Sequence, residues 1–205
     1  IADFTEKRDR ELANWFRGMF ELINSYYPLK KGKGKNLIEF GCATGAASFV
    51  LKSFGYNVTS TDISAYAVER AKRNYKDIKF LVHDMEKPFK NSKFDLAVAF
   101  DVIEHLPNPQ VGISNIYKLL TKNGVAIFST PNNYPHVFND PTHISVKKPS
   151  EWNKILKKTG FKNIFMKQIT LMPYLYRFHW RLAFALSFGT SLPYFISPVI
   201  IIAKK

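Results

Sequence analysis

The sequence predicts an α/β fold built on a mostly parallel sheet with helices on both faces. Three observations lead there. From residue 36 onward, short apolar runs alternate with helix-forming stretches, the pattern of strand–helix–strand units joined by right-handed crossovers. The run Phe94 to Phe100, FDLAVAF, is almost continuously apolar, as a central strand covered on both faces must be. Asn36 to Gly45, NLIEFGCATG, ends a short apolar run in a turn punctuated by Gly41 and Gly45, and a helix-forming stretch, Ala46 to Phe54, follows. A strand, a glycine turn and a helix start bring backbone close to a ligand.

Each element can be justified in order. Leu12, Trp15, Phe16, Met19, Phe20, Ile23, Tyr26 and Tyr27 recur at helical spacing, and Pro28 stops the helix. Lys30 to Lys35, KKGKGK, is a basic connector. After the first strand and helix, Tyr56 to Thr61 is a second strand ending at Asp62, and Ala65 to Tyr75 is a helix with Ser64 as its N-cap. Ile78 to Val82 is the third strand and Phe94 to Phe100 the fourth. Pro109 to Leu120 forms a helix, Lys122 to Gly124 a turn, and Val125 to Ser129 the fifth strand. Pro149 to Thr159 is a helix stopped by Gly160, and Phe161 to Gln168 a sixth strand. The loop Pro131 to Pro149, with Tyr134, His136, Phe138 and His143, follows a strand's carboxyl end, where such sheets take their substrates.

At 205 residues the chain suits one domain with a two-sided core. Its parts are an N-terminal helix and connector (1–35), a core (36–169), an aromatic helical insert (170–192) and a final strand (193–205). The net charge of +14 suits RNA, an anionic membrane surface, an acidic substrate or a plain solvated surface. The single cysteine, Cys42, excludes an internal disulfide and an all-cysteine zinc site. With no signal-peptide pattern at the charged opening residues, the expected location is cytoplasmic. Leu182 to Ala203 carries no charge, but Gly189, Pro193 and Pro198 divide it, so no transmembrane span is expected. Arg177, His179 and Arg181, within the aromatic stretch Leu171 to Phe188, suit peripheral membrane contact, a cover over a greasy substrate, a core-packing helix or a dimer contact. The sequence leaves the oligomeric state open.

The ligand of the glycine turn is narrowed by what the turn lacks. Ala43 and Ala46 stand at the second and third positions of a dinucleotide G-x-G-x-x-G, and no G-K-[ST] follows. What remains is Glu39 followed by G-x-A-x-G, which resembles the first motif of the class I S-adenosylmethionine (SAM) methyltransferases, with Ala43 at the middle glycine. Asp62 lies 21 positions after Gly41, close to the spacing of a ribose-binding carboxylate. The segment Asp101 to Leu106, DVIEHL, and the STPN at Ser129 to Asn132 resemble the branch containing the ubiquinone-pathway O-methyltransferases. The resemblance covers about Leu37 to Phe161 and implies a Rossmann-like seven-stranded sheet with an antiparallel last strand, here Val199 to Ile202, beside the sixth.

It also implies a site. SAM would be held by Glu39, Gly41, Cys42, Ala43, Gly45, Asp62, Ile63, Asp84, Met85 and Phe100, with Asp84 accepting from the adenine amine and Met85 against its ring. Cys42 fits as a small apolar side chain rather than a covalent group. Methyl transfer to a hydroxyl asks for a base or a metal, and His105 and His143 are the candidates for the base, with His136 also available. Related branches bind a divalent metal through E-x-x-E-H, one of them also with a His in the loop after the fifth strand; Asp101, Glu104 and His105 stand at those positions, with His136 or His143 available in the loop, and with the shorter Asp101 at the first a metal is not favoured. The leading expectation is a SAM-dependent methyltransferase acting on a hydroxyl of a small or lipid-linked acceptor. RNA methylation and a non-catalytic SAM-binding protein are the alternatives.

Overall fold

The computed structural model describes residues 2–89, 93–171, 175–177, 179, 181, 185, 186, 188–192 and 197–205. Helix α1 (Ala2–Tyr26) leads into strand β1 (Asn36–Phe40), helix α2 (Ala46–Ser53), β2 (Asn57–Asp62), α3 (Ala65–Asn74) and β3 (Lys79–Val82). Next come β4 (Phe94–Phe100), a 3-10 turn at Ile103–His105, α4 (Pro109–Leu119) and β5 (Leu120–Pro131). A 3-10 turn at Pro135–Asn139, α5 (Pro149–Thr159) and β6 (Lys162–Gln168) follow. The chain closes with β7 (Thr170–Leu171), a 3-10 turn at Leu175–Arg177, β8 (Ala185–Leu186) and β9 (Pro198–Lys204).

Seven strands form one sheet in the order β3-β2-β1-β4-β5-β9-β6, and β7 pairs with β8 alone. All pairings from β3 to β5 are parallel, whereas β9 runs antiparallel to both β5 and β6. The expected antiparallel last strand is therefore present, inserted beside β6. Strand order reverses between β1 and β4, and the carboxyl ends of these two strands open the crevice where such sheets bind ligands.

Alternation along the strands divides the core in two. Leu37, Leu96, Val98, Ile127 and Ile200 face α1, α2 and α3, where Met19, Phe20, Ile23, Val50 and Val68 meet them. Ile38, Ala97, Ala99, Phe128 and Ile201 face α4 and α5, packed on Ile113, Ile116, Trp152 and Leu156. Helix ends follow their chemistry. The Ser64 hydroxyl accepts from Ala67 N–H, the Asn108 side chain accepts from Val111 N–H, and Gly160 (φ 110°) ends α5.

One reading of the sequence changes. The segment Lys122 to Gly124 is not a turn before the strand but a bulge within β5. Phe94 aligns with Leu120 and Leu96 with Val125, so β5 carries extra residues between two pairings. The helical insert expected over 170–192 falls partly on residues 172–174, 178, 180, 182–184 and 187, which lie outside the described residues; the described ones include the β7–β8 ladder and the 3-10 turn at Leu175–Arg177. Among the described residues, no helix is long and apolar enough to cross a membrane.

Candidate active site

The turn after β1 is shaped by backbone conformations that demand small residues. Gly41 has φ 73° and Gly45 φ 89°, in the left-handed region where a side chain is strained. A Cβ on Gly41 would meet Val102 Cγ2 at 2.3 Å, so the glycine is also required by packing. Ala43 shares the positive φ, at 45°, and its N–H donates to Asp62 Oδ2 over 2.9 Å. Asp62 Oδ1 accepts from Ser64 N–H at the same distance. The carboxylate is thus fixed in orientation by two backbone donors and keeps further lone pairs for a ligand.

Beside this turn lies a cleft of about 450 Å³, lined by Gly41, Ala43, Asp62, Ile63, Asp84 and Met85 together with Val102, His105 and Leu106, within the range of small-molecule sites. Six of the ten residues expected to hold SAM meet here. The other four do not line the cleft. Glu39 is buried beneath the turn, where its Oε2 accepts from the Ser48 and Ser60 hydroxyls, the latter at 2.8 Å. Burial, with a smaller contribution from the Asp62 charge, raises its pKa to about 7. Cys42 is buried and its thiol is pushed far up, first by burial and then by Glu39 and Asp62, which leaves it inert as a nucleophile. Gly45 is the N-cap of α2. Phe100 packs on Phe20 and Phe16 of α1, with ring centroids 5.2 and 5.9 Å away. The fit to SAM nevertheless holds on geometry: a glycine cradle without Cβ, a preoriented carboxylate at Asp62, and an apolar wall of Ile63, Met85 and Leu106.

One contact was invisible in the sequence. Asp9 of α1 is buried; its Oδ1 accepts from Thr44 Oγ1 at 2.8 Å, and its Oδ2 accepts from Asn74 Nδ2 at 2.9 Å and meets Arg70 at 3.5 Å. A carboxylate from the first helix therefore ties the cofactor turn to α3. No spacing rule pairs residues so far apart in the chain.

A second pocket, of about 350 Å³, adjoins the cleft and is formed largely by the loop after β5: Asn132, Tyr134, His136, Val137 and His143, with Glu104 and Pro198. Asp101 lines both pockets. It takes φ 52°, a region that aspartate tolerates better than most residues. Its Oδ1 accepts from the Ser129 hydroxyl at 2.8 Å, and its N–H donates to the Ser129 carbonyl. Protein crowding raises the Asp101 pKa, with the Ser129 hydrogen bond and the two histidines opposing.

Glu104, His105 and His143 converge at this junction. Their ligating atoms lie within 4.8 Å of one another, and the two imidazole rings are 4.9 Å apart. Both rings are oriented by backbone. His105 Nδ1 lies 2.9 Å from the Thr142 carbonyl and His143 Nδ1 2.7 Å from the Val137 carbonyl. A carbonyl only accepts, so each Nδ1 carries the proton and each Nε2 keeps its lone pair in the neutral ring. The Glu104 carboxyl is fully buried; among the described residues neither oxygen has a hydrogen-bond partner, and Oε1 lies 4.0 Å from His105 Nε2. Burial first, then the Asp101 charge, raises its pKa. Of the residues expected as metal candidates, Glu104 and His105 come together with His143 of the loop, while Asp101, which accepts from Ser129, is not in this group and His136 stacks on Tyr134.

A methyltransferase-domain family model matches residues 4–164. The ubiquinone biosynthesis O-methyltransferase of Rickettsia canadensis is 28% identical over 146 residues, covering 62% of this chain and 62% of that protein. The one from Coxiella burnetii is 32% identical over 105 residues, 49% of this chain and 45% of that protein. This chain spans less than two thirds of either relative's length. Among solved structures, a SAM-dependent methyltransferase from Archaeoglobus fulgidus superposes with a TM-score of 0.68 at 18% identity, covering 92% of this chain and 94% of that one. A phosphoethanolamine N-methyltransferase from Haemonchus contortus, in complex with S-adenosyl-L-methionine, gives 0.67 at 16% identity over 91% and 51%. The fold is the one seen in these SAM-dependent methyltransferases, and the chain belongs to the methyltransferase domain family.

Proposed function

We propose that this domain transfers a methyl group to a hydroxyl of a small or lipid-linked acceptor held in the pocket after β5. The observation that carries this reading is the junction of two pockets at Asp101, with Nε2 of His105, 4.0 Å from Glu104 Oε1, beside one and Nε2 of His143, 3.9 Å from Asp140 Oδ2, beside the other. SAM, when bound in the cleft, supplies a methyl on a cationic sulfonium, an electrophile for in-line displacement. His143 lines the acceptor pocket and takes the hydroxyl proton on Nε2 as the oxygen–carbon bond forms. His105 lines the cofactor cleft and shares the catalytic assignment. Tyr134, Val137 and Pro198 shape the acceptor pocket and exclude water from it. The reading keeps a cytoplasmic location with peripheral membrane contact.

A second reading rests on Glu104. A buried carboxylate whose oxygens accept no hydrogen bond among the described residues is costly, and two oriented imidazoles beside it complete a borderline ligand set for Mg²⁺, Mn²⁺ or Zn²⁺. Such an ion would supply Lewis acidity toward the acceptor oxygen. Both readings are tested by incubating the protein with methyl-labelled SAM and a cell extract, with and without EDTA. Label in the organic phase that survives EDTA supports the histidine base. Label lost with EDTA and restored by metal supports the second reading, and calorimetry with Mn²⁺ on E104Q should then show no binding. RNase-sensitive label would overturn the small-acceptor assignment.

A further inference from the structure

A third concave site lies across the sheet from the methyltransferase crevice, where β4, β5 and β6 begin and β9 ends. Four lysines from four segments border it: Lys93 just before β4, Lys122 in the β5 bulge, Lys162 at the start of β6, and Lys205 just after β9. Among the described residues no Asp or Glu side chain lines it, and none of the four lysines forms an ion pair. The bulge matters here because it sets Thr121 and Asn123 on the rim beside Lys122.

Two of the cations are held in place rather than floating in solvent. Lys205 Nζ donates to the carbonyls of Tyr117 and Leu120, at 2.7 and 2.8 Å, and lies 4.7 Å from the centre of the Tyr117 ring. Lys93 Nζ donates to the Lys118 carbonyl at 2.6 Å. These carbonyls belong to the end of α4, where a cation is favoured. Helix capping therefore accounts for Lys93 and Lys205 but not for Lys122 and Lys162 on the facing rim. The charges also oppose each other: burial, and then the Lys93 charge, lower the Lys205 pKa. Positive charges gathered around one pocket with no acidic side chain among them repel each other, which a bound anion relieves.

We propose that this basic pocket binds a phosphoryl group, borne by a free phosphate compound or by a lipid headgroup. Phosphate fits the donor set because it offers several acceptor oxygens to separate ammonium groups at once, and lysine binds it as a point charge. The rim hydroxyl of Thr121 and amide of Asn123 supply neutral donors. The site is separate from the cofactor cleft and shares no lining residue with it.

The test is calorimetry of the whole chain with pyrophosphate and with inorganic phosphate at fixed ionic strength, repeated on K93Q/K162Q and on K122Q. Saturable binding is expected in the wild type, about tenfold weaker or worse in the double variant, as for loss of charge-assisted contacts. S-adenosylhomocysteine binding should be unchanged in the variants, which reports an intact fold. Co-sedimentation with phosphatidic acid vesicles, with and without competing pyrophosphate, separates the two sources: competed vesicle binding assigns a headgroup, and soluble binding alone assigns a free compound. A wild type that responds to phosphate no more than to chloride, or a double variant that binds as tightly as wild type, overturns the proposal.

Discussion

Glu39→Gln is the perturbation whose magnitude the structure sets most directly. Glu39 sits on β1 under the cofactor turn, and its carboxyl is buried against Ser48 of α2 and Ser60 of β2. Burial is the main reason its pKa rises from 4.5 to about 7; the two serine hydroxyls oppose the rise and the Asp62 charge adds to it. An acid whose pKa is raised on folding holds its proton in the folded state across the window where the unfolded chain has released it. Stability therefore falls as pH rises from 4.5 to about 7, and stays at the lower level above that. At about 1.4 kcal/mol per unit, this gap corresponds to about 3 kcal/mol. Glutamine keeps an oxygen to accept from both serines but cannot ionise, so E39Q should lack this share of the slope. Urea unfolding at a series of pH values measures it. The difference in unfolding free energy between E39Q and wild type should shift by about 3 kcal/mol in favour of E39Q from acid to mildly alkaline pH. The raised pKa values of Asp101 and Glu104 act in the same direction but are common to both proteins and cancel. Parallel stability profiles would refute the argument, because they would mean that Glu39 is solvated or compensated.

Other perturbations have equally direct outcomes. Gly41→Ala combines positive-φ strain of about 1–2 kcal/mol with a collision against Val102; SAM binding measured by calorimetry should weaken, and V102A in the same chain should restore part of it. Asp9→Ala leaves Thr44 and Asn74 without their acceptor and should cost about 1–3 kcal/mol in chemical denaturation. S-adenosylhomocysteine should then bind more weakly, whereas unchanged affinity would mean that α1 does not hold the cofactor turn. Trp152→Ala empties a fully buried site between α5 and the sheet and should cost about 3–5 kcal/mol, read from the urea midpoint. His143→Ala should abolish methyl transfer while leaving SAM affinity intact, since His143 lines only the acceptor side; an active variant would remove it as the base.

Local chemistry determined much of this protein without reference to its folded shape. Strand–helix alternation, the apolar FDLAVAF run, Ser64 as a cap and Gly160 as a stop are all properties of neighbouring residues, and each element formed where its pattern lies. The glycine turn and Asp62 were legible for the same reason: backbone conformation and chain spacing constrain them. Tertiary structure decided the rest, because contacts between residues distant in sequence leave no periodic trace. It buried Glu39 beneath the turn that it was expected to line, and it brought Asp9 from the first helix onto Thr44. It set His143 rather than His136 beside Glu104 and His105, and left Asp101, which accepts from Ser129 28 residues further along the chain, outside that cluster. It also gathered four lysines from separate strand ends around one pocket, a convergence set by strand order, which the linear sequence does not display.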